Sequence, residues 1–353
     1  MRTILLTAAC LLSLFGCGRS SDPVEGQRCQ WRLGPAVELA RGDVQLDRAG
    51  GAVHATADVA LVIASTSTEY VGVLVTTDEQ AERIASMGMS HGYAHSTESG
   101  FVLSSYPNCR VEVVDANLAS SRSVDLGGEA ADADCLLSQS AAGRIEVAVT
   151  HGLGGPTQVR SWTGLGSPEP VVEELGAVGA GTPLRVVHQP GYGTWVWMGG
   201  PSFALERLDG AAPTRAEWPT PGGLKGATAD PARGGIVLLP RRDGRDGWGD
   251  YQLEWFGPEG SLSAPEVTPL PEIWPFEQLV GVEDGAFIPL HGGTLAFVRW
   301  GERSMETLRH DESERVLQSR AIVRPGGDRG GLVYTVDEAG ESVLKWRSLV
   351  CVR

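Results

Sequence analysis

The chain has 353 residues and a formal net charge of −15, from 44 acidic and 29 basic side chains. So acidic a surface repels phosphate backbones and excludes nucleic acid as a partner, since nucleic-acid binders present a basic stripe. It also argues against docking on anionic lipid by charge. Glycine takes 47 of the residues, about twice the usual share, and punctuates short apolar runs, the pattern that many tight turns require.

In chain order, the first element is a leader. Arg2 precedes an apolar run from Ile4 to Phe15, interrupted by small or hydroxyl residues (Thr7, Ala8, Ala9, Ser13). The run is shorter than the roughly 20 apolar residues of a membrane-spanning helix and has the length and flanks of a signal-peptide core. It ends in Leu14-Phe15-Gly16-Cys17, which resembles the lipobox of bacterial lipoproteins. Leu14, Gly16 and Cys17 match that pattern, while Phe15 stands where a smaller residue is usual. The resemblance implies cleavage after residue 16, a diacylglyceryl thioether on Cys17 and acylation of its new amine. Several acyl chains on one residue exceed the two-signal threshold for stable anchoring. Loss of Arg2 with the leader would leave the mature chain one unit more negative.

Residues 18–27, Gly-Arg-Ser-Ser-Asp-Pro-Val-Glu-Gly-Gln, are polar and rich in turn formers, which reads as a tether. Gly18 occupies the position where an Asp resembles an inner-membrane retention signal in enteric bacteria, so the expected address is the cell envelope, outer membrane over inner. No later segment is apolar enough to cross a bilayer, which leaves the lipid as the expected anchor.

Beyond the leader and Cys17 stand Cys29, Cys109, Cys135 and Cys351. An even count in an exported chain reads as disulfides, with three possible connectivities. No pair has the Cys-x-x-Cys spacing typical of structural zinc sites.

Helical periodicity is nearly absent from the remainder. Runs of four to eight residues rich in Val, Leu, Ile, Trp and Tyr, bounded by Gly, Pro, Asp and Ser, predict an all-β sandwich, barrel or propeller. A longer period selects the propeller. Residues 223–271 illustrate the unit: Leu224-Lys-Gly-Ala-Thr-Ala, then Gly235-Ile-Val-Leu-Leu, then Tyr251-Gln-Leu-Glu-Trp-Phe-Gly, then Pro265-Glu-Val-Thr-Pro-Leu. Similar units cover about 43–88, 89–128, 129–176, 177–222, 272–314 and 315–353. Third strands align on Trp162, Leu208, Trp255, Trp300 and Trp346, and second strands on Ile145, Trp195, Ile236, Phe287 and Leu332. Such a period is that of propeller blades. The expectation is therefore one domain, residues 29–353, folded as a seven-bladed β-propeller. A pair of β-sandwiches is the competing architecture, and six or eight blades are the competing counts.

The last unit lacks an outer strand, whereas Cys29 to Arg41 is strand-like and has no unit of its own. If that segment completes the last blade, Cys29 faces Cys351 and sulfur closes the ring. Cys109, at a second-to-third strand turn, then pairs with Cys135, early on the next inner strand.

Chemistry is scarce in the sequence. No Gly-x-Ser-x-Gly elbow, Walker A loop, dinucleotide fingerprint or His-Glu-x-x-His helix occurs, nor do sialidase Asp boxes, quinoprotein Trp repeats or the Trp-Asp dipeptide. His91, His151 and His291 fall at inner-strand starts or second-to-third turns, so three imidazoles round one channel mouth could hold a metal. Separate exposed turn residues on different blades is the preferred reading, because spacing alone is not geometry. The acidic glycine loop from Asp243 to Asp250 lacks the alternating Asp positions of calcium loops and reads as a solvated hairpin. Trp218, Trp248 and Trp274 lie in or near loops and suit protein or glycan contact or wedging between blades. No residue is assigned a catalytic role and no cofactor is implied. The expected function is an envelope binding or assembly module with a protein or glycan partner; the alternative is a glycan-acting lyase or hydrolase with its site at the channel mouth.

Overall fold

The computed structural model describes residues 28–353 apart from several inter-strand segments, the longest being 241–250, 257–265 and 270–278. The leader, Cys17 and the tether lie outside the described residues. β1 (Gln30–Gly42) comes first and is set aside until the end of the chain. Sheet one is β2 (Val53–Ala55), β3 (Val59–Ser65), β4 (Tyr70–Thr76) and β5 (Ala81–Gly88). Sheet two is β6 (Tyr93–Ser96), β7 (Gly100–Ser104), β8 (Arg110–Asp115) and β9 (Ser121–Asp125). Sheet three is β10 (Ala133–Ala141), β11 (Arg144–His151), β12 (Thr157–Thr163) and β13 (Val171–Val178). Sheet four is β14 (Thr182–Gln189), β15 (Gly193–Gly199), β16 (Phe203–Leu208) and β17 (Thr214–Trp218). Sheet five is β18 (Gly226–Asp230), β19 (Gly234–Pro240), β20 (Tyr251–Phe256) and β21 (Glu266–Pro269). Sheet six is β22 (Val280–Val282), β23 (Gly285–Pro289), β24 (Leu295–Arg299) and β25 (Met305–Leu308).

Sheet seven is built from both ends of the chain. β26 (Val316–Val323), β27 (Arg329–Glu338) and β28 (Glu341–Val352) form three strands, and β1 adds the fourth by pairing antiparallel with β28. Trp31 is opposite Cys351 in that register, and a disulfide joins Cys29 to Cys351. The first strands touch in succession, β2 to β6 to β10 to β14 to β18 to β22 to β26 and back to β2. The chain is thus an all-β propeller. Within each sheet neighbouring strands run antiparallel, and in the first six sheets they follow one another in chain order as a meander.

The middle strands show why the sequence lacks clean alternation. Leu61 and Ile63 of β3 pack with Phe101, Leu103 and Val114 of sheet two, while Ala60 and Val62 of the same strand pack with Val333, Leu344 and Trp346 of sheet seven. A sheet wedged between two others buries both faces, so its second strand reads as a continuous apolar run. Val102, Val111 and Val113 meet Ile145, Val147 and Val149 between sheets two and three. Between sheets six and seven the filler is aromatic: Trp31 stands edge-on to Phe287, centroids 4.9 Å apart, and Phe287 lies 4.8 Å from Phe297. Burying each large apolar side chain contributes about 1.5–3 kcal/mol.

One glycine is required by this packing. A Cβ on Gly331 would lie 2.0 Å from the ring of Trp346, the residue on which the last third strand aligns. The indole fills the space that a side chain on β27 would need.

Candidate functional site

The antiparallel meander gives the ring two ends. At one, first and third strands finish while second and fourth begin; at the other the directions are reversed. Cys29, at the start of a fourth strand, and Cys351, near the end of a third, define the first, termed here the clasp end. Cys109 precedes the third strand of sheet two, and Cys135 is early on the first strand of sheet three. Their disulfide staples those two sheets at the opposite end, where Asn108 and Asp134 also form an isolated bridge.

His151 is the last residue of β11, exposed, at that same opposite end. His91 and His291 lie outside the described residues, as do Trp248, Trp274 and the loop 243–250. Trp218 closes β17 opposite Phe203. Among the described residues, no group of three or more His, Cys, Asp or Glu side chains is placed to hold a metal ion. Among the same residues, no helix is long and apolar enough to cross a membrane.

The buried polar side chains form a system that the sequence did not single out. Gln139 on β10 grips Ser96 on β6: its carbonyl accepts from the Ser96 N–H at 2.9 Å, and its amide donates to the Ser96 carbonyl and hydroxyl at 2.7 Å each. The next residue inward, Ser138, accepts from the Val186 N–H of β14 at 2.9 Å. Arg185, beside Val186, donates to the Leu279 carbonyl ahead of β22 at 3.4 Å. Burial lowers the Arg185 pKa, and the charge of buried Glu146 opposes that shift. On the outer side, Arg122 of β9 donates to the carbonyls of Leu165, Ser167 and Pro168 in sheet three.

Two buried arginines flank sheet seven at the clasp end. Arg299, at the end of β24, donates to the Cys29 carbonyl at 2.7 Å and pairs with Asp284 and Glu306. Arg324, just past β26, donates to the Val75 carbonyl of sheet one at 3.2 Å. The sheet made from both termini is thus fastened to each neighbour by a guanidinium on a backbone carbonyl. Charge-assisted bonds of this kind are the strong ones. Burial lowers the Arg324 pKa, partly offset by Asp58.

Between sheets three and four lies a buried histidine. His188 Nδ1 is 2.8 Å from the Thr194 hydroxyl across the β14–β15 pair. Burial, then Arg144, lowers its pKa below the ordinary histidine value, with Glu173 acting the other way.

No protein-family model matches the chain, and no curated protein matches it in sequence. Solved structures match in fold. The WD40 domain of Toxoplasma gondii coronin superposes with a TM-score of 0.56 at 9% identity, covering 91% of this chain and 87% of that one. An oligogalacturonate lyase from Vibrio parahaemolyticus gives 0.56 at 11% identity, covering 90% and 96%. The polysaccharide lyase Uly1 gives 0.54 at 10% identity, covering 95% of each. At such identities the likeness is one of fold, and the fold it supports is the β-propeller.

Proposed function

We propose that the chain is a lipid-anchored, seven-bladed β-propeller acting as a binding or assembly module of the cell envelope. Acyl chains on Cys17 hold it to the membrane, the outer membrane over the inner, and its partner is an envelope protein or glycan. The blade count rests on the seven four-stranded sheets and their succession of touching first strands. The lipid rests on the Leu14–Cys17 resemblance.

One observation carries the module reading. Half-buried Gln139 and buried Ser138, Arg299 and Arg324 each bond to the backbone of a neighbouring sheet. They build a rigid ring that displays its turns, and rigid display is what a recognition scaffold needs. Crosslinking in intact envelopes followed by capture of the chain tests it. A discrete envelope partner, lost on solubilising the Cys17→Ser variant away from the membrane, is the expected result. Recovery of no partner from crosslinked envelopes would reject the reading.

A second reading, a glycan-acting lyase or hydrolase with its site at the channel mouth, draws on the printed activities of two fold neighbours, an oligogalacturonate lyase and a polysaccharide lyase. Fold likeness alone does not carry chemistry across. Incubation with oligogalacturonate, scored for new chain ends, discriminates: cleavage would favour the enzyme and displace the module.

A further inference from the structure

Sheet seven departs from the other six in length. β1 has 13 residues and β28 has 12, whereas the third and fourth strands elsewhere have four to eight. At the clasp end of this longer pair, Val350 is 37% and Val352 is 42% exposed. The alternation of β28 places them on the face that carries Leu344 and Trp346 in the core further along, yet here neither is covered. Val350 has Arg32 as its partner on β1 and Arg329 as its partner on β27, so an exposed arginine flanks it on each side. Arg28 and Arg353, also exposed and each with an interaction of its own, lie next in the chain to the same corner, and Asp328 is an acid beside them. The other end of the sheet has the opposite balance: Glu38, Asp337, Glu338 and Glu341, with Arg41 and Lys345 bonded among them.

We propose that this corner, exposed Val350 and Val352 with Arg32 and Arg329 flanking Val350, is a membrane-contact patch for anionic phospholipid. Apolar side chains beside arginines suit the boundary between headgroups and acyl chains. In a chain with a net charge of −15, a basic corner attracts an anionic surface while the rest is repelled. The patch therefore orients the molecule as well as holding it. The exit of the chain fits: Cys29 is fixed by its disulfide and by Arg299 at this same end, and the span from Cys17 to Arg28 reaches at most about 40 Å. The end bearing Cys109–Cys135 and His151 then faces away from the membrane and is free for a partner. The orientation deepens the lipid-anchor reading, whereas the patch has its own evidence.

The test uses the full-length protein purified from envelopes and reconstituted on vesicles of phosphatidylethanolamine and phosphatidylglycerol that carry a headgroup acceptor dye. A donor on an encoded non-natural residue replaces either Asp328 or Glu341, which lie at opposite ends of the β27–β28 pair, about 33 Å apart by the length of β28. Energy transfer should be markedly stronger from position 328, and Arg32→Glu with Arg329→Glu should abolish the difference. In the Cys17→Ser chain, residual binding to the same vesicles should fall on the order of tenfold with those two substitutions, and should vanish on vesicles lacking phosphatidylglycerol. Equal transfer from both positions on a chain that still floats with the vesicles would overturn the patch and leave the anchor standing. Full-length protein that binds only as weakly as Cys17→Ser, yet still by the two arginines, would overturn the anchor and leave the patch.

Discussion

Arg299 concentrates more of the structure's logic than any other described side chain. It is 8% exposed, satisfies the carbonyl of a disulfide cysteine and neutralises Asp284, itself largely buried, with Glu306 at the rim. Truncation leaves a carbonyl and a carboxylate without their donor, and breaking such a pair costs about 3–5 kcal/mol. Arg299→Ala should therefore lower the urea midpoint with unchanged m-value, and a loss below about 1 kcal/mol would mean that the guanidinium is dispensable. His188 makes a different prediction. Its folded pKa lies below the unfolded value near 6.5, so the unfolded chain takes up a proton that the folded chain refuses. Stability from this site is intact above that pH and falls as pH drops below it. Thermal midpoints measured from pH 7.5 to 5 should fall less steeply in His188→Gln, where the amide keeps a partner for Thr194, than in the parent. Parallel slopes would remove His188 from the acid response.

At the scale of elements, the closing strand is the decisive piece. β1 contributes one edge of backbone pairing to sheet seven, and Trp31 to the aromatic packing against sheet six. The Cys29–Cys351 bond spans 322 residues, for which the chain-entropy account gives about 6 kcal/mol. Replacing both cysteines by serine should cost about 2–5 kcal/mol in equilibrium unfolding while leaving far-ultraviolet circular dichroism unchanged, since the β1–β28 pairing does not depend on sulfur. Unchanged stability would assign closure to the strand alone. The strand was legible in the sequence because one unit was short of a strand and one strand was short of a unit. The middle strands were legible as well, because burial on both faces leaves an unbroken apolar run such as Val59–Ser65. The cross-links were not. Gln139, Arg122 and Arg324 carry no local signature, since a polar residue that binds a carbonyl of the next sheet looks in sequence like any surface residue.

For the whole molecule, the periodic units written from Trp162, Trp255, Trp300 and Trp346 each hold at least three strands of one observed sheet, and the propeller was legible because the repeat poses the same packing problem again and again. A site is sampled once. His151 stands exposed at the end opposite the clasp, while His91 and His291 lie outside the described residues. The exposed Val350 and Val352 were hidden for a related reason: in sequence they continue the apolar alternation of β28, and only the greater length of sheet seven leaves them uncovered. The ring depends on where the chain enters and how the circle is closed. Digestion of the unreduced protein and mass spectrometry of its linked peptides tests that closure directly. The account predicts one peptide pair joining Cys29 to Cys351 and another joining Cys109 to Cys135; Cys29 linked to either internal cysteine, or recovered as a free thiol, would contradict it.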